Sequence, residues 1–152
     1  MLRESKGNMY SWVTHQWNAI KGECPHGCTY CYMKRWGKQK PLRFDESELR
    51  TDLGSGNFIF VGSSCDMWAN IIPDEWIFRT LCHCNKFDNT YLFQSKNPVR
   101  FLDFMEEMPE RIYLCTTIET NREDNVSTAC PSIKSRVDAM MILNDYVRKQ
   151  GL

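Results

Sequence analysis

Residues 58 to 68 read FIFVGSSCDMW, and this stretch decides the architecture. Phe58 to Val61 is an unbroken apolar run following the turn residues Gly54 and Gly56. A run of that length without alternation predicts a strand covered on both faces, as in a parallel sheet. It ends abruptly in Gly62, Ser63 and Ser64. Asp66 follows at the mouth of the strand, where it would either bind substrate or cap the loop.

On the amino-terminal side, the run SWVTHQWNAI from Ser11 to Ile20 predicts a first strand, broken by Gly22. CPHGCTYC, residues 24 to 31, comes next. Gaps of three and two residues allow Cys24, Cys28 and Cys31 to turn their thiolates around one small inorganic centre. Three protein ligands on a four-iron cube leave one iron open to chemistry. YMKRWG then predicts a short helical turn stopped by Gly37, and Trp12, Trp17, Tyr32 and Trp36 are candidates to shield a cluster from water. Lys34, Arg35, Lys38, Lys40 and Arg43 form a basic run without an acid, either a solvated face or a phosphate contact. Asp45 to Leu53 predicts a helix, with Asp45 and Glu48 as a capping-box start.

On the carboxyl-terminal side, helix and strand signals alternate. Pro73 to Lys86 predicts a helix, on which Cys82 and Cys84 point to different sides. Thr90 to Gln94 predicts a third strand ending near Lys96, with Pro98 opening the next helix. RIYLCTTIE, Arg111 to Glu119, predicts a fourth strand with Ile112 to Cys115 as its buried run. Ser132 to Lys149 predicts a helix whose apolar positions are Ile133, Val137, Met140, Met141 and Val147, with Gly151 as its stop. Alternating strands and helices imply α/β architecture with right-handed crossovers, about four βα units in one domain spanning residues 1 to 152.

The chain has 152 residues, enough for a real core, and 19 basic residues balance 19 acidic ones. No global field therefore draws it to nucleic acid or to a membrane surface. Eight cysteines without an apolar leader at the N-terminus favour a reducing, cytoplasmic setting with thiols free for metal.

The CxxxCxxC spacing with Tyr30 before the last cysteine resembles the cluster loop of the radical S-adenosylmethionine (radical SAM) enzymes. Within that superfamily the chain is most similar to a phage-associated family of unassigned chemistry near spore photoproduct lyase. The resemblance implies a partial (βα) barrel, of which the chain would hold about four units where six are usual, so that the chain is expected to be truncated or completed by a partner. An uncovered fourth strand would favour self-association. It implies Cys24, Cys28 and Cys31 as ligands of a [4Fe-4S] cluster and S-adenosylmethionine as second cofactor. Tyr30, Gly62, Ser63, Ser64, Lys96, Thr117, Glu119 and Arg136 would contact that second cofactor, with Arg136 set as a fork for its carboxylate and Glu119 as an acceptor for ribose hydroxyls. Asp66 would face substrate. The segment at Gly62 departs from the commoner family pattern of two glycines and a glutamate. An electron donor of flavodoxin or ferredoxin type is implied, the substrate is open with nucleic acid among the possibilities, and Cys65 or Cys115 as hydrogen donors are not separable from inert thiols.

Two other readings stand beside this one. A zinc site would take a fourth ligand from His26, His83 or the Cys82/Cys84 pair, giving a nucleic-acid-binding module without SAM chemistry. Alternatively, Cys28 and Cys31 would form a redox pair, leaving Cys24 without a role.

Overall fold

The computed structural model describes residues 1–6, 10–120 and 129–149. Its strands are β1 (Arg3–Glu4), β2 (His15–Trp17), β3 (Ile20–Lys21), β4 (Arg43–Phe44), β5 (Phe58–Val61), β6 (Thr90–Ser95) and β7 (Ile112–Thr116). The α-helices are α1 (Asp74–Cys84) and α2 (Ile133–Lys149), and 3₁₀ segments span Tyr32–Trp36, Glu46–Arg50 and Pro98–Glu107. The fold is mixed α/β around a mostly parallel five-stranded sheet ordered β1-β2-β5-β6-β7. β1 is antiparallel to β2, whereas β2, β5, β6 and β7 run parallel to one another in chain order. β3 and β4 form a separate antiparallel ribbon.

The two faces of the sheet are unlike. Ile59 and Val61 of β5, Tyr91 and Phe93 of β6, and Ile112 and Leu114 of β7 turn to one side and join the main core. Ile77, Leu81 and Cys84 of α1, Phe101 and Phe104 of the third 3₁₀ segment, and Leu143 of α2 pack there too. Phe60 and Leu92, at the alternate positions, point the other way and join Val13 in a small second cluster, with Phe58 and Cys115 packed against it. The helices thus lie on one face, and the opposite face stays open beyond its small apolar patch. Because the parallel strands follow chain order without reversal, the loops after β5, β6 and β7 emerge together at the carboxyl edge.

The strands read from the central apolar runs match the observed ones closely, but several expectations are corrected. Ser11 to Ile20 is not one strand: β2 covers only His15–Trp17, and Ile20 belongs to the ribbon. The break falls at Asn18, whose side-chain oxygen accepts from the Ser64 N–H (3.2 Å) while its amide donates to the Ser63 hydroxyl (3.3 Å). The helix expected over Asp45–Leu53 is a 3₁₀ segment, Glu46–Arg50. Asp45 caps it through the Ser47 N–H, but Glu48 does not close a capping box. Its buried carboxylate instead accepts from Trp17 Nε1 (3.0 Å), Lys21 Nζ (2.5 Å) and the chain's terminal amino group. Of the four expected βα units, only those after β5 and β7 carry α-helices; β2 and β6 lead into 3₁₀ segments. Tyr113, expected in the buried run of β7, is exposed. In α2 the buried positions are Arg136, Ala139 and Leu143, while Val137 and Met141 face outward. The stop expected at Gly151 lies outside the described residues.

His83 supplies a pH-dependent element of the core. Its Nε2 donates to the Thr51 carbonyl (2.8 Å), its ring packs on Trp17 (centroids 5.0 Å apart), and its buried Nδ1 has no partner among the described residues. Burial holds its pKa below the ordinary imidazole value, since a second proton would enter without an acceptor. The folded state therefore resists a proton that the unfolded chain takes up near pH 6.5, so stability is full above that pH and declines as pH falls below it. His83→Gln, which keeps a donor toward Thr51, is expected to flatten the fall in melting temperature between about pH 7 and 5. Identical slopes for the two proteins would overturn this.

Candidate functional site

The loop from Gly22 to Cys31 leaves the β3–β4 ribbon and crosses the carboxyl edge of the sheet. Gly22 has φ +110°, and a Cβ there would stand 2.4 Å from the Pro41 carbonyl oxygen, so the loop's first turn admits no side chain. Beyond it, Cys24, Cys28 and Cys31 all line one cavity of about 530 Å³. Gly62, Ser63, Ser64 and Cys65 from the loop after β5 form the facing wall, and Gln94, Lys96 and Thr117 close it from β6 and β7. Gly62 holds φ +80°, which turns the chain sharply at the strand end and exposes the backbone of the next residues. The Tyr32 hydroxyl donates to the Ser63 carbonyl (2.6 Å) and ties the cysteine loop to this wall.

The thiols differ in character. Cys24 is pulled down to about 6, first by a hydrogen bond from Cys65, against the effect of burial, and further by the backbone N–H groups of Asp66 and His26. Cys65 is pushed up by the same pairing and by its own burial, and burial also raises Cys28. Among the described residues, no group of three His, Cys, Asp or Glu side chains is gathered tightly enough to hold a single metal ion. An iron-sulfur cube is a different demand, since its ligands sit on separate irons and stand wider apart than the ligands of one ion. Three thiols lining one cavity fit that donor set.

Of the cofactor-contacting residues expected from sequence, Tyr30, Gly62, Ser63, Ser64, Lys96 and Thr117 line the cavity, and so does Asp66. Glu119 and Arg136 stand behind them. The Tyr30 hydroxyl donates to Glu119, Lys96 Nζ lies 3.5 Å from Glu119 and 5.2 Å from the centre of the Tyr30 ring, and Arg136 Nη1 meets Glu119 at 2.7 Å. Burial works to raise the Glu119 carboxyl, but the Tyr30 and Arg136 bonds outweigh it and hold the group below its ordinary value. Arg136 also donates to the carbonyls of Thr117 (2.8 Å) and Pro131 (2.8 Å), so its fork joins the segment after β7 to the start of α2. Trp17 lies wholly in the core and Trp36 is exposed; of the four expected shielding rings, only Tyr32 lines the cavity.

His26 and Asp66 were not paired by sequence reasoning, being forty positions apart. His26 Nε2 meets Asp66 Oδ2 at 2.8 Å, and its Nδ1 faces the Ala129 carbonyl at 3.2 Å. Burial opposes the charged ring, yet the Asp66 bond wins and raises its pKa. Asp66 Oδ2 also accepts from the Ser95 hydroxyl (2.9 Å) and the Lys96 N–H (2.8 Å), while Oδ1 accepts from the Trp68 N–H (3.0 Å). Asp66 thus joins the cysteine loop to the ends of β5 and β6. Asp66→Ala would leave several buried donors unpaired, and an urea titration is expected to show a loss on the order of 3 kcal/mol. An unchanged midpoint would return Asp66 to the role of a free ligand. Gln94 was also missed, and the polar Gln ending the apolar run TYLFQ was the available signal; of the two thiols named as hydrogen donors, Cys65 lines the cavity and Cys115 does not.

No family model, curated protein or solved structure matches this chain. Of the fourth ligands named for zinc, His26 has both ring nitrogens within hydrogen-bonding distance of acceptors, His83 and Cys84 are buried, and Cys82 is half-buried on α1 outside the cavity. No helix among the described residues is long and apolar enough to cross a membrane.

Proposed function

We propose that this chain is a radical SAM enzyme, with a core of partial (βα) barrel type, in which Cys24, Cys28 and Cys31 hold a [4Fe-4S] cluster beside a site for S-adenosylmethionine. The observation that carries the reading is the placement of all three thiols in one cavity at the carboxyl edge of chain-ordered parallel strands, facing the Gly62–Ser64 turn. Cys24, Cys28 and Cys31 would hold the cluster, which would supply one-electron reduction of the second cofactor's sulfonium and thereby hydrogen-atom abstraction from substrate.

The chain's own residues bind, orient and exclude water. The Ser64 hydroxyl, unpartnered among the described residues, and the backbone beside Gly62 offer polar contacts to an amino acid moiety. Lys96, half-buried with Glu119 at 3.5 Å, sets a positive charge on the cavity wall where a ligand carboxylate is favoured. The Glu119–Arg136 pair braces Tyr30 and Lys96 from behind, a positioning role instead of the direct contact expected from sequence. The rings of Tyr30 and Tyr32 line the cavity and would serve to shield reactive species from water. An electron donor of flavodoxin or ferredoxin type completes the reading.

Iron and acid-labile sulfide, with a reduced-state EPR spectrum, test it on anaerobically reconstituted protein. The expected result is a four-iron signal that changes on adding S-adenosylmethionine. Stoichiometric zinc without a cluster would replace the enzyme by a binding module.

A further inference from the structure

A second cavity, of about 770 Å³, adjoins the first, and Tyr32, Met33, Ser63 and Ser64 line both. The partition between them is thin: the Tyr32–Ser63 hydrogen bond forms part of it. The second cavity divides the basic run of the sequence. Lys38, Lys40 and Arg43 line it together with Arg3, while Lys34 and Arg35 do not. Lys21 is also there, but its charge is met by Asp45 (2.8 Å) and Glu48 (2.5 Å). Arg3, Lys38, Lys40 and Arg43 make no ion pair among the described residues, and all four are exposed. Glu48, the one acid among the described residues that line the groove, is therefore already matched, and four lining cations are left over against the exposed Glu23 beside Lys40. Trp36 on the same wall is 72% exposed. The indole thus stands open to solvent beside the four unpaired cations.

We propose that this groove binds the phosphate backbone of single-stranded nucleic acid and presents one of its nucleotides to the cysteine-lined cavity. The assignment rests on the enzyme reading above, to which it adds a substrate class. Four cations spread along one groove suit a repeating polyanion better than a single phosphate, and an exposed ring offers a base a flat face to stack on. Continuity across the Tyr32–Ser63 partition lets one end of the ligand lie among charges while the other enters the cavity. A balanced net charge means that attraction comes from this local cluster alone, so binding is expected to depend steeply on salt.

The test is fluorescence anisotropy with a labelled, mixed-sequence DNA strand of about 12 nucleotides, a length within the reach of such grooves. With four phosphates neutralised, the slope of log K against log salt is expected near −3, a weakening of roughly fiftyfold between about 50 and 200 mM. K38Q/K40Q is expected to halve that slope, and Trp36→Ala to weaken binding about tenfold at an unchanged slope. These side chains are exposed, so unchanged melting curves serve as the folding control. Absence of binding at low salt, a slope unmoved by K38Q/K40Q, or equal affinity for the duplex form would overturn the proposal. The two readings fail separately. A four-iron protein that ignores the strand keeps the enzyme and loses the groove, whereas a strand-binding protein that takes zinc and no cluster keeps the groove and loses the substrate assignment.

Discussion

Cys28→Ala is expected to purify folded, to take up no four-iron cluster on reconstitution, and to leave S-adenosylmethionine uncleaved. The side chain is small and buried on the cavity wall, so trimming one sulfur costs the fold about 1 kcal/mol at most. Its loss from the donor set is total, because two remaining thiols cannot retain a cube against solvent and chelators. Cys24→Ala and Cys31→Ala are expected to behave alike. Cys82→Ala is the control: Cys82 sits on α1 outside the cavity and should leave iron content whole. Full iron in Cys28→Ala, measured with sulfide and by EPR, would sink the ligand assignment whatever the activity.

The largest effect on stability is expected from Trp68→Ala. Trp68 is fully buried, and its ring meets Phe93, Phe101 and Phe104 edge-on at centroid distances of 5.6, 4.8 and 5.9 Å. Its backbone is held on both sides, the N–H by Asp66 and the carbonyl by the Asn97 amide (3.0 Å). Removing the indole opens a void among side chains that cannot all move in, a loss of about 3–5 kcal/mol. For a chain of this size that corresponds to a drop in Tm on the order of 10 °C. The buried indole N–H has no partner among the described residues. Trp68→Phe removes that unpaired donor while keeping most of the ring, and is expected to cost far less than alanine. Equal losses for the two variants in denaturant titrations would show that ring packing is not what holds this region.

What could be read from the sequence was what depends on neighbours in the chain. Phe58–Val61 and Thr90–Ser95 were legible because a continuous apolar run between glycine or proline punctuation has few other folded uses. The three cysteines were legible because their spacing is itself the constraint. Glu48 was not, since its burial depends on Trp17, Lys21 and the terminal amino group, all brought in by the fold from distant positions. The surroundings of Arg136 were not legible for the same reason: Glu119 and the Thr117 carbonyl, which close around its guanidinium together with the Pro131 carbonyl, are brought in from beyond its helix. The split of Ser11–Ile20 turned on Asn18, whose side chain answers the backbone of a loop more than forty residues away.

The small β3–β4 ribbon has a bearing on how the thiols come together. Ile20 pairs with Phe44 and Lys21 with Arg43, so the chain between them is gathered at its base by a few local contacts. Phe44 in turn stacks on Trp76 at 5.8 Å and lies under Arg79, fastening that base to α1. The cysteines and the basic segment thus ride on one closed loop whose stem is anchored to the helical face of the sheet. Closing a stem is cheap in chain entropy compared with pinning each thiol separately. The loop behaves as a cassette: its length and its tip can vary in evolution or by design without disturbing the register of the strands that carry the opposite wall.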